Sequence, residues 1–106
     1  MDPVQAQVEA YNARDLEAFV ACYAPDVAIE DGQGRELSRG LEQLRADYGQ
    51  LFAQSAGLHC QVIHRTHVGD YVIDEEIVTG RGANPIHAVA IYRVEQGLIA
   101  HVRFLR

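Results

Sequence analysis

The sequence predicts an α+β fold in which three N-terminal helices pack on the concave face of a curved antiparallel sheet, closing a cone. Three observations carry this. Apolar residues in the first half recur at helical spacings of three and four, whereas from Leu58 onward they alternate with polar ones in stretches broken by glycine. Helices precede strands instead of interleaving with them, which excludes a parallel sheet built of strand–helix–strand units. With 106 residues and 48% apolar content, the chain reads as one domain, 1–106, large enough for a single core and too small for two.

Asp2-Pro3 sets a capping carboxylate before a proline at the first helical position. Gln5 completes a capping box there, and Val4, Val8 and Tyr11 form one apolar face. After the joint "NARD", Asp15 caps a second helix that carries Leu16, Phe19, Val20 and Tyr23 and stops before Pro25. A short strand follows and ends at Glu30. Ser38 then opens a third helix, whose Leu41, Leu44, Tyr48, Leu51 and Phe52 face the core. Four strands complete the chain: "LHCQVIHRTHV", "DYVIDEEIVTG", "IHAVAIYRVE" and "LIAHVRFLR", with Gly69, Gly80 to Gly82 and Gly97 at the turns. Four strands in succession imply an antiparallel meander.

Nine basic residues against 15 acidic ones, a formal net charge of −6, leave no basic patch to release counterions from nucleic acid. No apolar run approaches the ~20 residues of a membrane-spanning helix, so no membrane partner is expected. Cys22 and Cys60 lie in apolar segments and, with no signal peptide ahead of them, read as reduced, buried thiols. A cytoplasmic setting is the corresponding expectation.

"VEAYNARDLEAFVACYAPDVAIEDGQG", then "SRGLEQLRADYGQLF" and "YRVEQGLIAHVRF", resemble the nuclear transport factor 2-like superfamily, in its SnoaL-like and ketosteroid isomerase-like branch. The resemblance spans nearly the whole chain. It implies a cystatin-like cone with an apolar pocket between helices and sheet, and a homodimer through the outer sheet face. It implies no cofactor and no one function, since the superfamily holds isomerases, cyclases, epoxide hydrolases, dehydratases and proteins without chemistry. Aligned without gaps, the proton-shuttling carboxylate of the isomerases falls on Asp31. Their oxyanion-hole tyrosine falls on Gln7, and their protonated aspartic acid on Val89 or Ala90, so those donors are not matched. Tyr23 and Tyr48 correspond to two supporting tyrosines, and Val102, Phe104 and Arg106 to pocket-lining positions. "DEEIV" resembles a strand of limonene epoxide hydrolase, with Glu76, Val78 and Phe104 in place of its catalytic residues. The last-strand aspartate of SnoaL-type cyclases has no counterpart in "HVRFLR".

Asp31, in "VAIEDGQG", is therefore the first candidate for a general base next to a carbonyl. Its competing role is to cap the turn into "GQG" by accepting backbone N–H groups. Glu30 alternates to the other face. In the acid run Asp74, Glu75 and Glu76, period two puts Asp74 and Glu76 on one face with Val72 and Val78, and no Arg or Lys in the strand pairs with them. Glu76 and His87 are the further catalytic candidates. Tyr11, Phe19, Tyr23, Tyr48, Phe52, Val72, Asp74, Val78, Val102 and Phe104 are expected to line the pocket. His59, Cys60, His64 and His67 lack zinc-site spacing, and strand parity aligns His59 with His67 but not with His64, so no metal is expected. The functional expectation is a small, mostly apolar ligand with proton transfer beside its carbonyl, an isomerase or lyase step. The alternatives are a noncatalytic binding or dimerisation module, and an acid–base enzyme using Asp74 and Glu76.

Overall fold

The computed structural model describes residues 2–106. Helix α1, Pro3–Ala13, starts where Asp2 accepts hydrogen bonds from the Val4 and Gln5 backbone N–H groups, at 2.9 and 3.4 Å. The expected capping box forms by half, because the Gln5 amide instead donates to Glu9 at 3.0 Å and accepts from Arg65 at 2.8 Å. Asp15 caps α2, Leu16–Val20, through the Ala18 N–H.

Two boundaries differ from expectation. α2 stops at Val20, and Tyr23 and Pro25 belong to strand β1, Tyr23–Glu30. Against β6, Leu98–Leu105, the β1 register shifts between Tyr23 and Ala28, so Pro25, which has no N–H to give, falls in the irregularity and breaks no ladder. Ser38 lies in β2, Glu36–Arg39, where Ile29 pairs with it, and α3 runs Gly40–Gln54 from Arg39, which makes no side-chain cap. Strand pairing has overridden a serine that reads locally as a cap.

The strands β3, His59–Val68, β4, Tyr71–Thr79, and β5, Ile86–Glu95, form with β6 the expected antiparallel meander. The six-stranded sheet has the order β2-β1-β6-β5-β4-β3. It is mixed rather than wholly antiparallel, because β1 runs parallel to β6. Hairpins dictate direction within the meander, whereas β1 reaches β6 with no hairpin between them and is free to take either sense. Irregularities in β1, β3 and β5 curve the sheet around the helices.

The bulge in β3 decides which side chains meet. Val62 pairs with Glu76, but beyond the bulge His64 pairs with Glu75 and Arg65 with Asp74. Cys60 and Arg65, of opposite parity in sequence, thereby share the inner face. His59 and His64 share the outer one, the reverse of the expected alignment, and His67 pairs with inner-face Val72. Between sheet and helices lies the core, centred on Phe19, which packs on Tyr48 and Tyr23 with ring centroids 4.6 and 4.9 Å apart; Phe52 stacks edge-on against Tyr11.

Gly80 follows directly on the end of β4. Its φ is +81°, and a Cβ there would lie 2.2 Å from the Gly57 carbonyl oxygen and 2.6 Å from the Leu58 nitrogen. Both are backbone atoms that cannot swing aside. Gly80→Ala is expected to cost more than about 2 kcal/mol in urea unfolding. Gly69→Ala, at a φ of +58° with open space around it, is expected to cost only the backbone strain, about 1 kcal/mol. Equal losses would contradict the contact.

Candidate functional site

A cavity of about 40 Å³ opens between the helices and the inner sheet face. α1 contributes Gln7, Val8 and Tyr11; α2, β1 and α3 contribute Phe19, Tyr23 and Tyr48. The sheet adds Cys60, Glu76 and Val78, then Ile86, Ala88 and Tyr92, with Phe104, Arg81 and Arg106 at the opening. A second cleft of about 210 Å³ shares Tyr48, Arg81, Phe104 and Arg106 with it, so the two are inner chamber and outer mouth of one depression. The inner chamber has room for the centres of about three waters, hence for a ligand fragment of a few heavy atoms.

Glu76 is the one carboxylate among the described residues lining the inner chamber, and it is only 5% exposed. Alternation on β4 turns it inward between Val62 and Ala88. Its hydrogen-bond partner is Cys60, whose Sγ donates to Oε2 at 3.4 Å. Burial raises the Glu76 pKa; the Cys60 hydrogen bond and the charges of Arg106 and Arg65 offset part of that rise, and Asp74 adds to it. The Cys60 thiol is itself pushed far up, by burial and then by Glu76. It is a neutral donor, not a nucleophile.

The chamber is lined with hydroxyls. Tyr23 donates to Gln7 Oε1 at 3.2 Å, and Gln7 Nε2 donates to the Tyr92 oxygen at 3.1 Å. Burial holds the Tyr23 and Tyr92 pKa values well above ordinary and pushes that of Tyr48 up to about 12, so all three are neutral donors. Tyr11 and Tyr48 make no side-chain hydrogen bond within the protein, yet no unpartnered polar side-chain atom is sealed from solvent among the described residues. Their O–H groups therefore keep access to solvent, and both side chains line the cavity.

Asp31, expected at the chamber, does not line it but lies on an open groove with Arg35 and Leu37, which meets the chamber opening at Phe104 and Arg106. It accepts from the Gln33 and Arg35 N–H groups at 2.9 and 3.0 Å and from Arg35 Nε at 2.8 Å. The Arg35 backbone bond, with the Gln33 bond and the Arg35 charge, holds its pKa down. The β1 strand ends one residue too early for Asp31 to point inward, and the turn takes the carboxylate. His87 is also displaced: its side chain is 63% exposed on the outer face, 2.6 Å from Glu75, because Ala88 takes the inward position opposite Glu76. Glu30 faces outward as expected, with His101 at 3.0 Å and Arg103 at 3.2 Å.

Tyr11, Phe19, Tyr23, Tyr48, Val78 and Phe104 line the chamber with Glu76, whereas Phe52, Val72 and Val102 lie in the packed core. Asp74 is fully buried but does not line the cavity, since Arg65 holds it from both sides, Nε to Oδ1 at 2.7 Å and Nη2 to Oδ2 at 2.9 Å. Sequence reading missed that arginine because the β3 bulge breaks the parity it depends on. It also missed Tyr92, whose signal was its alternation with Ala88 and Ala90, and Arg81, for which a glycine-flanked turn gives none.

The SnoaL-like domain family matches residues 4–102. No curated protein matches the chain. Among solved structures, an uncharacterized cystatin-fold protein from Novosphingobium aromaticivorans is 28% identical with a TM-score of 0.92, over 100% of this chain and 99% of that one. A hypothetical protein with a ketosteroid isomerase-like fold from Catenulispora acidiphila, in complex with trimethylamine, is 19% identical with a TM-score of 0.77, over 96% of this chain and 82% of that one. A computationally designed 17-OHP binder is 20% identical with a TM-score of 0.81, over 96% and 86%. On the family match, the chain belongs to the SnoaL-like domain family, and it shares the cystatin-like, ketosteroid isomerase-like fold of these structures.

Proposed function

We propose that the chamber takes a small molecule with an apolar body and a carbonyl group, and that Glu76 moves a proton at the carbon beside that carbonyl. The observation that carries this is a buried carboxylate in the lining of an apolar, tyrosine-lined cavity. Desolvation makes the ionised Glu76 a stronger base. The α C–H bond breaks, its proton passes to a Glu76 oxygen, and the electron pair becomes the C=C bond of an enolate. The hydroxyls of Tyr11 and Tyr48, two of the lining residues, supply hydrogen bonds to the enolate oxygen in place of the unmatched oxyanion donors. Where the molecule carries a C=C bond β,γ to the carbonyl, the enolate is a dienolate. Return of the proton from Glu76 to its γ carbon then shifts the double bond into conjugation and isomerises the molecule. Without such a bond the proton returns to the α carbon and the step is an exchange.

The test is deuterium exchange at the α carbons of cyclohexanone, followed by NMR. Exchange above the solvent rate is expected from the protein and from Asp31→Asn, and not from Glu76→Gln. Loss of exchange in Asp31→Asn with activity kept in Glu76→Gln would move the chemistry to the turn. Ketone binding without exchange in any form would leave a noncatalytic binding module.

A homodimer through the outer sheet face belongs to the same reading. Ile73, Ile77, Val89 and Ile91 lie half-buried on that face of the single chain, an apolar area with the ion pair of Glu75 and His87 beside it. Light scattering is expected to give twice the mass of one chain; a single-chain mass would remove the dimer. The free, buried thiols of Cys22 and Cys60 accord with a reducing, cytoplasmic setting.

A further inference from the structure

The basic residues of this chain are nine arginines. Six of them are held in ion pairs with carboxylates: Arg35, Arg39, Arg45, Arg65, Arg93 and Arg103. Among the described residues the other three, Arg14, Arg81 and Arg106, make no ion pair, and two of these three stand together at one place, the opening of the cavity. In a chain of net charge −6, an unpaired guanidinium beside a second one is not the arrangement that charge compensation alone produces.

We propose that the natural ligand is a keto acid or a similarly anionic carbonyl compound, whose acid group is held by Arg81 and Arg106 while its carbonyl end enters the chamber. This rests on the reading of Glu76 and the chamber given above, and adds the substrate class. Three features fix the orientation. Glu76 lines the inner chamber and not the outer cleft, so an anion is repelled from the former. The chamber is small, so whatever exceeds a few heavy atoms lies in the 210 Å³ outer cleft, where both arginines are. The one carboxylate of that cleft, Asp47, accepts a hydrogen bond from Gln43 at 2.8 Å and is not paired with either arginine. The guanidinium forks suit a carboxylate better than any neutral group, because two parallel N–H donors match its two oxygens. Their charge also reaches the chamber, where Arg81 and Arg106 both act on Tyr48 and Arg106 on Glu76.

The experiment compares levulinate with methyl levulinate, the same methyl ketone with and without the charge, by NMR titration of the whole chain and of Arg81→Gln and Arg106→Gln. Levulinate is expected to bind about tenfold more tightly than the ester at low salt. Each substitution should remove most of that difference, and raising the salt should shrink it. Equal binding of the two compounds in the chamber would overturn the anionic class while leaving the chamber reading intact. An undiminished preference in both variants would overturn the assignment to these arginines. If neither compound moves the resonances of Tyr48, Glu76 or Tyr92, the chamber reading fails, and this inference with it.

Discussion

Glu76→Gln is expected to stabilise the protein at neutral pH and to remove most of the proposed proton transfer. Both effects have one cause. The carboxyl is 5% exposed, and its pKa is raised chiefly by burial. A group whose folded-state pKa lies above its unfolded value favours the fold most below the unfolded value, and that contribution is lost as pH rises through the folded one. Above that window the ionised Glu76 is a burden on the fold, which a neutral amide of the same shape does not carry. The stability gain is expected to be about 1 kcal/mol, the ordinary size of gains where a functional group is removed, seen as a higher Tm at neutral pH and no difference in acid. Exchange of ketone α protons should fall by a factor of roughly 100 or more. A variant less stable at neutral pH would mean that the Cys60 hydrogen bond, not desolvation, dominates at this position.

Arg65→Met is expected to be the most damaging single substitution away from the glycine turns. Asp74 is fully buried, and Arg65 is its ion-pair partner on two oxygens. Removing the arginine leaves an uncompensated charge in the core, at a cost of about 3–5 kcal/mol. That is a large part of the ~5–15 kcal/mol that holds a domain of this size. In thermal unfolding the loss should exceed ~10 °C. The double variant Arg65→Met with Asp74→Leu removes charge and partner together and should recover most of the stability. A double variant as unstable as the single one would show that Arg65 acts through its contact with Gln5 rather than by compensating Asp74.

Much of this architecture was legible in the sequence because its signals are local. Asp2 and Asp15 announce their helices by capping them, and strict alternation in "YVIDEEIV" turns Glu76 inward next to Val78. What was illegible depends on partners far along the chain. The parallel pairing of β1 with β6 has no local mark, and the bulge in β3 inverts the parity that would have set Arg65 opposite Asp74. Asp31 shows how a motif can mislead. A carboxylate before "GQG" fits both a base and a turn cap, and the backbone N–H groups of Gln33 and Arg35 decide for the cap. His87 falls outward by one step of alternation, and Tyr92, four steps on from inward Ala88, occupies the inner face.

The most direct measurement is a pH titration of the side-chain carboxyl carbons by NMR, with and without cyclohexanone, Glu76 and Asp31 being assigned through Glu76→Gln and Asp31→Asn. Glu76 is expected to titrate above the usual glutamate range and to move when the ketone is added, while Asp31 titrates below the usual aspartate range and stays where it is. The contrary result, an ordinary titration for Glu76 with the ketone acting on Asp31, would place the chemistry in the turn and not in the chamber.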